Sequence, residues 1–151
     1  MSPVLGTQEG DAMAAEDHKS LIARYLSALD SGSEAVIMPL IDELFADSYR
    51  AHMAGGTLEG RDGLKAHVRR ALAAFGDMRH IVEDNFAAGD RVATRVTFRA
   101  VQKGEFLGVA STGQQIECPI LYIHRFAAGR IEEAWLDWDA LFTVAHGVGA
   151  K

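Results

Sequence analysis

An imidazole, a carboxylate and two large aromatics stand at alternate positions in the last third of the chain. Tyr122 and His124 precede the tight turn Ala128-Gly129, and Trp135 and Asp137 follow it. A short hairpin that pairs Phe126 with Ile131, and each residue onward with its opposite, puts Tyr122, His124 and Phe126 on one face with Ile131, Glu133, Trp135 and Asp137. Asp139 continues that row. A carboxylate beside an indole in a water-poor pocket loses hydration, and its pKa rises toward values useful for taking and returning protons. The chemistry is general acid–base catalysis, with Asp137 and His124 as the catalytic pair. A structural role competes with it: His124 bonds Glu133 across the hairpin and Asp137 caps a following helix.

Tyr25 and His52 join Tyr122, Trp135 and Asp139 as candidate substrate contacts. Tyr25 lies on an apolar helical stripe, where a buried hydroxyl needs a partner and core packing is the better reading of the ring. His52, in Tyr49-Arg50-Ala51-His52, faces inward or outward according to one residue of register. Cys118 is the single cysteine and has no evident base, so neither a disulfide nor a nucleophile follows. The six histidines show no HxxxH spacing and no cysteine companions, so no metal is expected. With no dinucleotide glycine fingerprint and no phosphate loop, no cofactor is expected either.

The elements that must position these side chains divide the chain in two. Residues 1–15 show no sustained period and read as a flexible leader, which leaves 16–151 as one domain. Leu21, Ile22, Tyr25, Leu26 and Leu29 recur at spacings of three and four, the stripe of an amphipathic helix that Gly32 ends. Ser33 can cap a second helical stretch from Val36 to Phe45, with a break or kink expected at Pro39. A third helix is expected over about 62–75, with Leu64, His67 or Val68, Ala71 or Leu72, and Phe75 on one face. From there the period becomes two. Val92, Thr94, Val96 and Phe98 alternate with Ala93, Arg95, Thr97 and Arg99, a strand whose arginine row is a solvated face. His80 to Phe86 is its expected partner through a turn at Gly89, and Gln115 to Phe126 pairs with Arg130 to Asp139. Three helices followed by antiparallel strands is the α+β pattern.

The opposite face of the second hairpin carries Leu121, Ile123, Leu136 and Trp138. A hairpin apolar on both sides implies helices against one side and a second subunit against the other, so a homodimer is expected. The chain has 151 residues, 48% hydrophobic and 24% charged, enough for one core. Its net charge of -6 opposes nucleic-acid or anionic-membrane partners. No apolar run approaches the roughly 20 residues of a membrane helix, and the first ten residues lack a signal-peptide pattern, so a cytoplasmic address is expected.

The stretch Gly104-Glu105-Phe106-Leu107-Gly108, continued to Ser111-Thr112-Gly113, follows a turn and strand at Gly89-Asp90-Arg91-Val92-Ala93. Together with Arg125-Phe126, Gly129-Arg130-Ile131 and Glu132-Glu133-Ala134-Trp135, and with His52 and Glu59-Gly60 upstream, it resembles the SnoaL-like polyketide cyclases over about 16–148. The resemblance implies a cone of the nuclear transport factor two type: a curved antiparallel sheet wrapped around a pocket, packed on three N-terminal helices, with a C-terminal helix and usual pairing into dimers. It also implies aldol closure of an aromatic polyketide ester without metal or cofactor, an acid serving as base. Relatives place an acid directly after the strand tryptophan. Here Leu136 stands there, so the carried-over base is Asp137, with Asp139 as its alternative. The small-molecule substrate is then an apolar, carbonyl-bearing polyketide-like compound. A related hydrolase or hydroxylase, and a non-catalytic ligand-binding or dimerisation module, remain as alternatives on the same fold.

Overall fold

Helix follows the apolar stripes of the first half, and strand follows the alternation of the second. The computed structural model describes residues 3–138 except 107 and 112, with side chains from residue 14 onward. In chain order the elements are α1 (Pro3–Asp30), α2 (Glu34–Leu44), β1 (Phe45–Met53), β2 (Gly56–Glu59), α3 (Gly60–Ala74), β3 (Phe75–Ala88), β4 (Arg91–Gln102), β5 (Gln115–Ala127) and β6 (Arg130–Asp137). The stretch expected as a leader is helical from Pro3 onward. Asp139 and the expected C-terminal helix lie outside the described residues. Among the described residues, no helix is long and apolar enough to cross a membrane.

Ser33 sits at the N-cap of α2 in extended conformation, but its side chain makes no capping hydrogen bond. Where a break or kink is expected at Pro39, the helix runs unbroken from Glu34 to Leu44. Ile37, Leu40, Ile41 and Leu44 of α2 are all buried, and four such side chains at about 1.5–3 kcal/mol each outweigh the roughly 3 kcal/mol of one interior proline.

The sheet runs in the order β2-β1-β6-β5-β4-β3. Its neighbours are antiparallel except for β1 and β6, which pair in parallel, with Ala51 opposite Ala134 and His52 opposite Trp135. The wholly antiparallel sheet is therefore corrected to a mixed one. Neither β1 nor β2 is expected from the sequence, because Phe45 prolongs the apolar stripe of α2 and the partner of β1 lies some eighty residues downstream. The sheet curves without closing, and β3 to β6 carry register irregularities of the kind that bend and twist strands.

One irregularity decides the site. Phe126 pairs with Ile131 as expected, but Arg125 then pairs with Glu133, His124 with Ala134 and Tyr122 with Leu136. Glu132 is an extra residue, a β-bulge, and every side chain beyond it changes face. Both acids at the bulge meet one cation: Arg125 reaches Glu133 at 3.1 Å and Glu132 at 3.7 Å. The inner face thus carries Tyr122, His124, Phe126, Ile131, Ala134, Leu136 and Trp138, while Glu133, Trp135 and Asp137 accompany Leu121, Ile123 and Arg125 outside. The expected shared face of His124 and Asp137 is corrected accordingly. The expected outer patch loses Leu136 and Trp138 to the inner side.

Strands β4 and β5 bury every second residue along their length, and the helices close over that face with Ile22, Leu26, Ile41, Leu64 and Val68. Arg95 and Arg99 face outward, half-exposed, in ion pairs with Asp84 at 2.6 Å and Glu117 at 2.7 Å.

Candidate active site

Between α3 and the inner face of the sheet lies a cavity of about 70 Å³. Its walls are mostly apolar, including Phe75, Met78, Phe98 and Ile120, and four side chains with polar atoms join them: His67, His80, Tyr122 and Trp138. At roughly 30 Å³ per water the space matches about two waters, well below the roughly 300–1,000 Å³ of drug-sized ligand sites.

His80 is held from two directions by Asp30, the last residue of α1. Asp30 Oδ1 lies 2.6 Å from His80 Nδ1, and the His80 backbone N–H donates to Oδ2 at 2.9 Å. The His80 side chain is only 5% exposed, and its ring leans on Phe98 at 5.0 Å. With Nδ1–H donating to the carboxylate, Nε2 carries the lone pair, and it makes no hydrogen bond among the described residues. This is the arrangement by which a carboxylate fixes the tautomer of a histidine base and stabilises the imidazolium that forms.

Tyr122 stands beside this pair. Burial pushes its hydroxyl well above the ordinary tyrosine value, with the neighbouring Cys118 and the Asp30 charge adding to the effect, so at neutral pH it is a hydrogen-bond donor. Burial, with the Arg70 charge nearby, pushes the His67 imidazole down to about 4, and its Nδ1 is buried without a hydrogen-bond partner among the described residues. His67 packs against Trp138 at 5.3 Å and Phe106 at 6.1 Å.

Phe106 arrives on the segment after β4, which two glycine-associated features hold in place. Lys103 and Gly104 both donate backbone N–H bonds to Ala74 O, at 2.7 and 3.1 Å. A Cβ on Gly104 would sit 2.7 Å from Ala73 O, so only glycine permits this approach of chain to helix end. The buried Gln102 amide donates to the carbonyls of Val109 at 3.3 Å and Ala110 at 3.2 Å, pinning the segment from beneath.

The residues singled out in the sequence are divided by the sheet. Tyr122 lines the cavity. His124 lies on the same face, stacked on Tyr122 at 5.6 Å, but it is 2% exposed and not among the cavity walls. Burial pushes its imidazole down to about 4. Tyr25 is core, its ring set edge-on to Phe45 at 4.9 Å. Asp137, Trp135 and His52 are on the outer face, where His52 Nε2 lies 2.7 Å from Glu133 Oε2 and stacks on Trp135 at 5.5 Å. The Arg91 guanidinium lies 4.9 Å from the Trp135 ring centre. Cys118 is buried, which pushes its thiol up to about 11 and keeps it protonated. Asp30, His80 and the placement of His67 and Trp138 were not foreseen. His67 did stand on the predicted face of the third helix, the one available signal, whereas nothing in the sequence joins Asp30 to His80 fifty residues away. Among the described residues no three His, Cys, Asp or Glu side chains converge as a metal site would require.

Residues 20–145 match the family model of SnoaL-like polyketide cyclases. No curated protein is significantly similar in sequence. Among solved structures, IdmH from Streptomyces antibioticus, assigned as a polyketide cyclase, is 30% identical, with 85% of this chain and 97% of that one covered at a TM-score of 0.70. A SnoaL-like polyketide cyclase assigned in Jannaschia sp. CCS1 superposes at a TM-score of 0.76 with 20% identity, covering 85% of this chain and 91% of that one. AclR from Streptomyces galilaeus, assigned as a hydroxylase, gives 0.72 with 24% identity, covering 89% and 84%.

Proposed function

Because the chain belongs to the SnoaL-like polyketide cyclase family, we propose that it performs aldol-type acid–base chemistry on an apolar carbonyl compound, with His80 as the base. The observation that carries this reading is the His80–Asp30 pair opening on a cavity beside Tyr122. His80 Nε2 takes the proton from a carbon flanked by carbonyls, and Asp30 stabilises the imidazolium. The electron pair moves into an enolate whose oxygen accepts a hydrogen bond from the Tyr122 hydroxyl. The enolate carbon attacks a second carbonyl of the same molecule, and the proton held by His80 returns to the new alkoxide. Each positioned proton transfer contributes about 100- to 10,000-fold, and holding both carbonyls in register adds more.

The test is exchange of the central C–H of a β-keto ester with solvent deuterium, followed by NMR. Wild-type protein accelerates it and His80→Gln, folded by circular dichroism, does not. Equal rates would remove His80 as the base. One observation favours a hydrolytic second reading: space for about two waters beside His80 lets the same pair activate water. The reaction needs no cofactor, so activity survives exhaustive dialysis against a chelator; loss restored by one metal would contradict this.

A second copy of the chain is the proposed partner of the outer sheet face, where Leu121 is 43% exposed among arginines and acids that a two-fold axis can cross-match. Light scattering at micromolar concentration tests it, and a monomer would refute it.

A further inference from the structure

Two concavities meet at one side chain. His67 belongs to the wall of the inner cavity and also to that of a surface groove of about 400 Å³, formed by Met53 to Thr57 with Arg70 of α3. His67 is nine-tenths buried, and its Nδ1 has no hydrogen-bond partner among the described residues. Gly55 and Gly56 contribute only backbone to the groove wall, and a Cβ on either would stand in open space with nothing within 4 Å. Both glycines also hold positive φ, +95° and +136°, which disfavours any replacement there. Arg70 lies three residues beyond His67 on the helix, so the two share a face. It is exposed and makes no ion pair among the described residues.

The volumes decide what each space can take. The inner cavity, at about 70 Å³, accepts only the reacting carbonyl end of a larger molecule, whereas the groove, at about 400 Å³, falls within the range of ligand sites. We propose that the groove is the outer half of the substrate site, that His67 divides it from the inner half, and that Arg70 anchors a carboxylate on a largely apolar substrate. This rests on the reading of the inner cavity as the place of reaction. His67 then offers its unpartnered nitrogen to a substrate oxygen passing between the halves. Arg70 selects acids over their esters and amides, since a guanidinium pairs with a carboxylate in two parallel hydrogen bonds.

The test compares 2-naphthoate with its neutral amide, 2-naphthamide, as probes titrated into the full-length protein and followed through backbone amide shifts. The wild type binds 2-naphthoate about tenfold more tightly, with the largest shifts at Met53 to Thr57 and around Arg70. Arg70→Gln brings the two affinities together. His80→Gln keeps the preference, so a failure of the catalytic reading stays distinguishable from a failure of this one. Equal wild-type affinities, no binding of either probe, a preference that survives Arg70→Gln, or shifts confined to another surface would each overturn the proposal.

Discussion

Each face of the sheet carries a histidine bonded to a carboxylate, His80 with Asp30 inside at 2.6 Å and His52 with Glu133 outside at 2.7 Å. Their surroundings differ. The inner imidazole is 5% exposed and the outer one 36%. Outside, Arg125 shares the Glu133 carboxylate, and the His52 hydrogen bond, with the Arg125 bonds behind it, holds that carboxyl below its ordinary value. The outer pair is thus part of a solvated charge network, in which solvent screening leaves each pair little net effect on stability. Inside, among the described residues, Asp30 bonds only His80, and the imidazole is buried against an apolar cavity although the two carboxylates are about equally exposed, 23% for Asp30 and 24% for Glu133. Composition cannot separate the two pairs; burial and the second bond of the carboxylate can.

The sharpest way to break this comparison is to neutralise each carboxylate in turn. Asp30→Asn lowers turnover by about 100- to 10,000-fold, because the tautomer and the imidazolium both lose their support, while Glu133→Gln changes turnover less than about threefold. A matched pair of steady-state assays decides it.

Acid acts next. His67 and His124 are pushed by burial from 6.5 to about 4 in the folded protein, whereas the unfolded chain binds their protons at about 6.5. Between those values the unfolded state holds more protons. The contribution of these two histidines is therefore complete above pH 6.5 and is lost as pH falls, by about 1.4 kcal/mol per unit for each, until it levels near pH 4. Urea midpoints at pH 7, 6 and 5 measure the slope. His124→Gln flattens it, and an unchanged slope would contradict neutral burial.

Gly104→Ala tests the closure of the inner face. Its Cβ meets the Ala73 carbonyl at 2.7 Å, a backbone atom that cannot swing aside, so thermal stability drops by about 1–3 kcal/mol. The smallest effect belongs to the hairpin that carries the bulge. Ala128 and Gly129 both have positive φ, +52° and +78°, the two-residue turn in which asparagine before glycine is preferred. Ala128→Asn therefore raises stability by up to about 1 kcal/mol.

Much of the fold was legible because local period dictates it. The alternation from Val92 to Phe98, the turns at Gly89 and Gly129 and the stripe of the third helix all sit where the side-chain pattern requires. What escaped was non-local or a matter of one residue. β1 pairs with a strand beyond residue 130, and no local pattern announces a parallel partner. The bulge at Glu132 turned Asp137 and Trp135 outward. Its trace was there in two adjacent acids between Ile131 and Ala134, with Leu136 and Trp138 resuming the alternation in the opposite phase. Asp30 ends one helix and His80 opens the middle of a strand, and only the packing of α1 on β3 brings them together.

The central claim is that the inner histidine works and the outer one does not. Nitrogen NMR of the imidazoles, recorded before and after saturation with a β-keto ester, tests it directly. Before addition, His80 has a protonated Nδ1 and an unprotonated Nε2; on addition the Nε2 resonance shifts, and both His52 resonances stay in place. A His80 signal with the opposite tautomer or no response, or a response confined to His52, would contradict the account.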